Sequence, residues 1–125
     1  MGSTDKDHMT GLPSQFFLIN NALRNSEQNH RVVSQNISNV NTPGYRTRHL
    51  SFDEFMEQVE NGAAQHDLVR ELPVEFTDGL TERVDGNNVD IDQQVAELKK
   101  NSLMFQTYTE LLASQMATYR KAISG

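Results

Sequence analysis

The feature that most restricts the fold of this 125-residue chain is an uninterrupted heptad pattern at its C-terminal end. Apolar residues recur there at steps of three or four, with Ser102 and Thr109 as polar exceptions, and neither Gly nor Pro occurs between Asp90 and Ile123. This spacing places the repeated positions on one face of a helix. It predicts a C-terminal helix over residues 90–124, whose heptad face consists of Ile91, Val95, Leu98, Ser102, Phe105, Thr109, Leu112, Met116, Tyr119 and Ile123.

A weaker heptad pattern predicts a second long helix in the N-terminal part of the chain. Ser26 and His30 occupy two of its positions, where a coiled coil normally has Leu or Ile. Pro13 suits a first helical turn, and Pro43 disfavours helical conformation at the residue before it. The expected helix therefore spans residues 12–41, with a face made of Leu12, Phe16, Ile19, Leu23, Val33, Ile37 and Val40.

Both apolar stripes are too narrow to bury much surface when only two helices pack together. The helices would be about 40 and 50 Å long at 1.5 Å per residue, whereas a compact chain of this length has a radius of gyration of about 14 Å. We therefore expect a mainly α fold, in which two long terminal heptad helices form an elongated, coiled-coil-like rod completed by other helices. The expected interface residues are Leu23, Val33, Ile37, Val95, Leu98, Phe105, Leu112 and Tyr119.

The central segment starts with signals for a short amphipathic helix. Ser51 and Glu54 have the spacing of a capping box. An Asn-Gly pair at residues 61–62 provides a stop signal. Between these signals the apolar residues follow helical spacing, at Phe52, Phe55, Met56 and Val59.

The remainder of the central segment is expected to be irregular or to contain minor β structure. Residues 72–76 alternate like a strand, but Pro73 limits them to an extended arm or an edge hairpin. An Asp-Gly turn at residues 85–86 leads into the last helix, where Asp90 and Gln93 have the spacing of a capping box.

These elements indicate one domain over residues 12–125. Its parts are the N-terminal helix at 12–41, the central segment at 42–89 and the C-terminal helix at 90–124. Residues 1–11 are small and polar without periodicity, which indicates a disordered leader or an expression remnant.

Composition excludes several classes of function. The chain has 17 acidic and 11 basic residues and a formal net charge of -6, so it lacks the basic surplus that binds nucleic acid. The sequence contains no apolar run of membrane-spanning length and no secretory signal pattern. We expect neither nucleic acid binding nor direct membrane insertion.

The sequence also offers little for catalysis or metal binding. There is no Cys, and the four His residues lack the spacing of metal ligands. The segment that begins at Asp85 resembles a calcium loop, but Val89 and Ala96 stand at its fifth and twelfth positions, where oxygen ligands are needed. Motifs for a Ser nucleophile or a phosphate loop are absent. We therefore expect no enzyme, no cofactor and no metal site.

The strongest local motif lies at the end of the first predicted helix. Asn36 and Asn39 are one turn apart and can bond backbone groups near the helix end. Pro43 and Gly44 suit the two central positions of a type II turn. Tyr45 then presents a large amphipathic side chain. So many demanding residues within ten positions indicate more than a helix stop.

This motif resembles the N-terminal signature of bacterial flagellar rod and hook proteins. That signature is Asn-Ile-Ala-Asn, two residues, then Thr-Pro-Gly-Tyr, and here Asn-Ile-Ser-Asn at 36–39 precedes Thr-Pro-Gly-Tyr at 42–45, so that Ser38 replaces Ala. The run at 85–92 is similar to the start of the C-terminal helix in the proximal rod member of that family. The resemblance covers residues 12 to 123 and implies assembly contacts at Asn36, Ile37, Asn39, Thr42, Pro43, Gly44, Tyr45, Asp85, Gly86, Asn87, Val89 and Asp90.

The resemblance implies a structural subunit of the flagellar basal body rod, part of the drive shaft that transmits torque from the membrane ring to the hook. The implied partners are other rod subunits, the membrane-ring adaptor protein and the flagellar type III export apparatus. The implied location is the rod in the periplasmic space, reached by export without a cleaved signal peptide.

Polar heptad positions suggest how such a subunit assembles. Ser26, His30, Ser102 and Thr109 weaken both faces, so we expect a loosely ordered free chain that folds when neighbouring subunits supply buried area. Two alternatives remain: another small rod subunit of the same family, and a helical adaptor or type III secretion chaperone.

Overall fold

Two long antiparallel helices dominate the structure, a computed structural model that describes residues 14–62 and 71–124. Helix α1 spans Ser14–Ser38 and helix α3 spans Ile91–Ser124. The ring of Phe16 near the start of α1 meets the ring of Tyr119 near the end of α3, with centroids 5.8 Å apart. The mainly α prediction is confirmed, while the predictions for residues 1–11 and for Leu12 and Pro13 at the start of the first helix lie outside the described residues.

Helix α1 ends at Ser38, three residues before the predicted limit of 41. Beyond the helix end, backbone hydrogen bonds join residues three apart. The Val40 N–H donates to the Ile37 carbonyl at 3.2 Å, and the Thr42 N–H donates to the Asn39 carbonyl at 3.0 Å. Such bonds satisfy carbonyls that an α-helix leaves open at its end. Pro43 excludes a further helical turn, so the α-helix ends in these shorter-range bonds before it reaches the proline.

Helix α3 begins as the sequence predicts. The Asp90 carboxylate accepts a bond from the Gln93 N–H at 3.2 Å, and the Asp90 carbonyl accepts one from the Gln94 N–H at 3.0 Å. The side chain therefore satisfies one of the open donors of the first turn. Asp92 adds a negative charge to the same turn, where the helix dipole favours it.

The short central helix α2 spans Asp53–Glu60, but the predicted capping box of Ser51 and Glu54 is wrong. Phe52 is the N-cap residue and makes no side-chain cap bond. Ser51 is buried and its N–H donates to the Pro73 carbonyl at 2.9 Å, which holds it in the extended segment before the helix. The predicted stop is confirmed, because Gly62 has a φ of 70° and donates to the Val59 carbonyl at 3.1 Å.

A two-stranded antiparallel ribbon joins distant parts of the central segment. Strand β1, Arg48–Leu50, pairs with strand β2, Val74–Phe76, so that Arg48 lies opposite Phe76 and Leu50 opposite Val74. The second strand matches the predicted extended character of residues 72–76. Its partner was not predicted, because three residues without alternation carry no strand signal.

The ribbon packs on α1 through a small apolar cluster. Val32, Leu50 and Leu72 are buried together, and Phe55 of α2 packs against them. The Gln28 side chain binds both backbone groups of Leu72: it donates to the carbonyl at 2.7 Å and accepts from the N–H at 2.8 Å. The Gln28 amide thus takes the place of a strand partner and holds the segment just before the second strand against α1.

The predicted heptad faces are only partly covered in this chain. Val33 is buried, whereas Phe105 and His30 are exposed. The described residues bury more polar than apolar side chains, including Ser26 and Asn101 between the two long helices. The other six predicted interface residues are half-buried, namely Leu23, Ile37, Val95, Leu98, Leu112 and Tyr119.

The apolar cluster predicts a contrast between two leucines. Leu72 is 2% exposed and Leu103 is 65% exposed. We expect Leu72→Ala to lower the free energy of unfolding by about 2–4 kcal/mol because it leaves a cavity. Leu103→Ala should change it by less than about 0.5 kcal/mol. Urea unfolding followed by circular dichroism, at one protein concentration, measures both, and equal losses would contradict the described core.

Candidate assembly site at the helix junction

The signature residues meet where α1 ends and α3 begins, in a region that we call the junction, formed by residues 36–48 and 83–94. Asn36 lies at its centre and is 0% exposed. Its amide nitrogen donates to the Arg48 carbonyl at 2.8 Å and to Gln94 Oε1 at 2.9 Å. Its amide oxygen accepts from the Tyr45 hydroxyl at 2.9 Å and from the Arg48 N–H at 3.1 Å.

These four bonds use the full capacity of an Asn side chain, two donors and two acceptors. A carboxylate at this position would place its second oxygen against the Arg48 carbonyl oxygen and Gln94 Oε1. An apolar side chain would leave every hydrogen-bond partner unsatisfied. Unsatisfied buried polar groups destabilise a fold by about 1–3 kcal/mol each. The junction therefore requires Asn at position 36.

A second buried amide closes the end of α1. Asn87 is 0% exposed, and its amide nitrogen donates to the carbonyls of Asn39 and Thr42, both at 2.9 Å. Its amide oxygen accepts from the Val89 N–H at 2.8 Å. The loop before α3 thus supplies donors to carbonyls just past the end of α1, so the two helix ends are fixed to one another.

Two glycine turns lie in contact at the junction. Gly44 has a φ of 75° and the Tyr45 N–H donates to the Thr42 carbonyl at 3.2 Å, which confirms the predicted type II turn. The Gly44 N–H donates to the Asp85 carbonyl at 2.8 Å. Gly86 has a φ of 83°, and a Cβ added there would lie 3.3 Å from the Gly44 Cα. The left-handed backbone favours glycine at position 86, and the close approach of Gly44 leaves little space for a side chain.

Further bonds join the segment after the first turn to the loop before α3. Thr47, which is buried, donates its N–H to Asn88 Oδ1 at 2.7 Å. The Arg83 guanidinium donates to the Val40 carbonyl and, at 3.3 Å, to the Val89 carbonyl. Each of these bonds crosses the junction or braces its loop, so the region is held by polar contacts more than by apolar packing.

Tyr45 acts in the junction as a hydrogen-bond donor. Burial raises the pKa of its hydroxyl above the ordinary value, and the nearby Arg48 guanidinium opposes that rise. The hydroxyl therefore keeps its proton at neutral pH and donates to Asn36.

The structure brings together most of the residues that the resemblance implies. Asn36, Asn39, Tyr45 and Asn87 bond within the junction, where Ile37 is half-buried. Pro43 and Thr42 are exposed at the turn. Sequence reasoning missed further junction residues because their polar side chains give no periodic signal; these are Thr47, Arg83, Asn88 and Gln94.

The described residues contain no cluster of His, Asp and Glu that could hold a metal ion. Among the helices of the described ranges, none has the length and apolar character of a membrane span.

No protein-family model matches the sequence. It is 31% identical over 106 residues to the flagellar basal body rod protein FlgB of Aeromonas hydrophila, across 75% of this chain and 80% of that protein. It is 25% identical over 118 residues to FlgB of Bacillus subtilis (strain 168), across 86% of this chain and 91% of that protein. FlgB of Aquifex aeolicus (strain VF5) is 29% identical over 102 residues.

The geometry around Asn36 predicts a pH-dependent loss of stability in Asn36→Asp. One oxygen of the new carboxylate keeps the Tyr45 and Arg48 donors, but the other faces the Arg48 carbonyl and Gln94 Oε1 at a fully buried position, so the pKa should rise above the unfolded value of about 3.9. The deficit relative to the parent chain is then smallest below about pH 4 and grows as the pH rises through the raised pKa, to about 3 kcal/mol at pH 7.

The matched control is Asn41→Asp at an exposed position of the same turn. Its stability should stay within about 0.5 kcal/mol of the parent at every pH. Urea unfolding between pH 4 and pH 8 makes the comparison, and a deficit for Asn36→Asp that is independent of pH would contradict the described bonding.

The contact between the two turns predicts different effects at two glycines with similar φ. Gly79 has a φ of 81° but no atom within 4 Å of an added Cβ, so Gly79→Ala should cost only the left-handed strain of about 1–2 kcal/mol. Gly86→Ala adds a tight contact with the Gly44 backbone and should cost about 1 kcal/mol more. Thermal melts of both variants test this, and equal melting temperatures would refute the close approach.

Proposed function

Because this chain belongs to the FlgB family of flagellar basal body rod proteins, we propose that it works as a structural subunit of the proximal part of the rod. Its role is structural rather than enzymatic, and it assembles with other rod subunits. We further propose that the assembled subunit transmits torque from the membrane ring towards the hook. The Asn36 junction supports this proposal, since it fixes the ends of two long helices to one another.

The surface of α3 supports assembly through neighbouring helices. Helix α1 covers one side of α3, at Gln94, Asn101 and Tyr119. Apolar side chains flank that covered side in both directions and are exposed, with Met104 and Leu111 on one flank and Phe105, Met116 and Ile123 on the other. The apolar surface of α3 extends beyond the area that α1 covers, and exposed apolar surface of this kind is typical of an interaction site.

A groove between α1, α2 and α3 offers a further contact. It has a volume of about 460 Å³ and an opening to solvent. Its exposed apolar lining includes Leu18 of α1, Met56 and Val59 of α2, and Met104 of α3. We propose that helices of other rod subunits cover the two flanks of α3 and this groove.

The specific partners and the location are proposed from the family resemblance. We propose that the membrane-ring adaptor protein is a neighbour in the rod, that the flagellar type III export apparatus delivers the chain, and that the rod segment lies in the periplasmic space. The polar character of the helix interface supports a free chain of low stability that gains order on assembly, because little apolar area is buried within one chain. The relatives disfavour the adaptor or chaperone alternative.

A glycine substitution in cells tests the proposal. Gly44→Val should abolish or strongly reduce swimming, because Val is strained at a φ of 75° and the turn can no longer place Tyr45 beside Asn36. The variant chain should still reach the culture medium or the basal body fraction, since the junction is needed after export. Swimming assays and immunoblots of these fractions provide the readouts.

The matched control is Gly79→Val, which has the same left-handed backbone at an exposed turn outside the junction. Cells with this variant should swim nearly as well as the parent. Normal swimming of cells with Gly44→Val would overturn the proposal that the junction is required in the rod.

A further inference from the structure

Two arginines share one exposed aromatic ring on the ribbon. The Arg46 guanidinium carbon lies 4.7 Å from the centre of the Phe76 ring, and that of Arg48 lies 5.4 Å from it. Arg48 also lies 6.0 Å from the centre of the Tyr45 ring. These cation–π contacts place both guanidinium groups against the same ring on the surface. We call Arg46, Arg48 and Phe76 the arginine platform.

The platform has no carboxylate partner within the described residues. Two ion pairs lie in the described ribbon and loops: His49 pairs with Glu75 and Arg83 pairs with Asp85, at 3.8 Å each. This lack is notable in a chain with 17 acidic and 11 basic residues. Arginine that is stacked on a ring keeps donors at its edge for a bidentate bond to a carboxylate.

Helix α2 carries the complementary feature. Asp53, Glu57 and Glu60 follow one another at helical spacing, are exposed, and lie on a different face from the apolar residues that line the groove. The helix has no basic residue, and no described cation pairs with these three carboxylates. Like charges one turn apart repel. We call Asp53, Glu57 and Glu60 the acidic stripe.

We propose that the arginine platform of one copy of this chain docks onto the acidic stripe of the next copy. Both patches lack a partner within the described chain, and their charges are complementary. Two cations over one ring match two carboxylates that lie one helical turn apart. The proposal rests on the proposed function only in that copies of the chain meet within a rod.

The type of contact also suits a rod. A platform that binds the stripe of one neighbour, while its own stripe binds a different neighbour, forms a heterologous contact, which leaves one platform and one stripe open at the two ends. Such contacts continue into a ring or an open helical array, rather than stopping at a dimer. Exposed ion pairs contribute little energy individually, so this contact selects the neighbour and the register, while the apolar surface of α3 supplies most of the buried area.

Charge reversal of each patch tests the proposal on the purified full chain. Arg46→Glu with Arg48→Glu reverses the platform, and Glu57→Arg with Glu60→Arg reverses the stripe near the end of α2, where the helix dipole favours cations. Sedimentation velocity over a concentration series at low salt measures self-association. Each double variant should associate at least about fivefold more weakly than the parent chain.

The restored combination is the decisive variant. A chain with all four substitutions has the parent net charge and complementary patches of opposite sign, so its association should return to within about twofold of the parent. An equimolar mixture of the two double variants should associate equally well. The control, Glu82→Arg with Glu110→Arg, has the same net charge as the stripe variant and should not weaken association.

Three results would overturn the proposal: a parent chain that does not self-associate, a stripe variant that behaves like its control, or a fourfold variant as weak as the double variants. Circular dichroism of each variant, at the concentrations used for sedimentation, verifies the helical content. A failure here leaves the proposed rod function intact, because that function is tested separately by swimming of cells that carry Gly44→Val.

Discussion

The buried amide of Asn36 joins three parts of the chain at one point, because it bonds to Gln94 of α3, to the backbone of Arg48 and to the Tyr45 hydroxyl. A side chain in the last turns of α1 thus fixes both the start of α3 and the direction of the chain after the turn. Asn87 repeats the arrangement from the other side, since it bonds carbonyls just beyond the end of α1. Two buried amides therefore fix the end of α1 and the start of α3 to one another.

The dependence on amide hydrogen bonds limits the stability of the chain. Amide bonds are directional and fix the register of the two helices, but each contributes only about 1 kcal/mol net because water competes for the same groups. The apolar cluster of Val32, Leu50 and Leu72 is small. A chain of this kind has a defined geometry with little reserve of buried apolar area, and the exposed flanks of α3 provide what neighbouring rod subunits can cover.

Periodicity was sufficient to predict the two long helices and the short α2, and turn chemistry was sufficient for Gly44 and Asp90. The partners of the signature residues could not be predicted, since Gln94 lies 58 residues from Asn36 and Asn88 lies 41 residues from Thr47. The error at Ser51 has the same origin, because a long-range bond to Pro73 outweighs a local capping preference. Local patterns specify elements, whereas contacts between distant polar groups specify the site.

The central claim is that one chain provides a fixed junction and an incomplete helical surface that other rod subunits complete. Hydrogen exchange, measured by mass spectrometry on the purified chain and on isolated rods, tests it most directly. We expect peptides from the junction to be the most protected in the purified chain, and peptides from residues 103–123 to gain at least about tenfold protection in the rod. Equal protection of residues 103–123 in both samples would contradict the account.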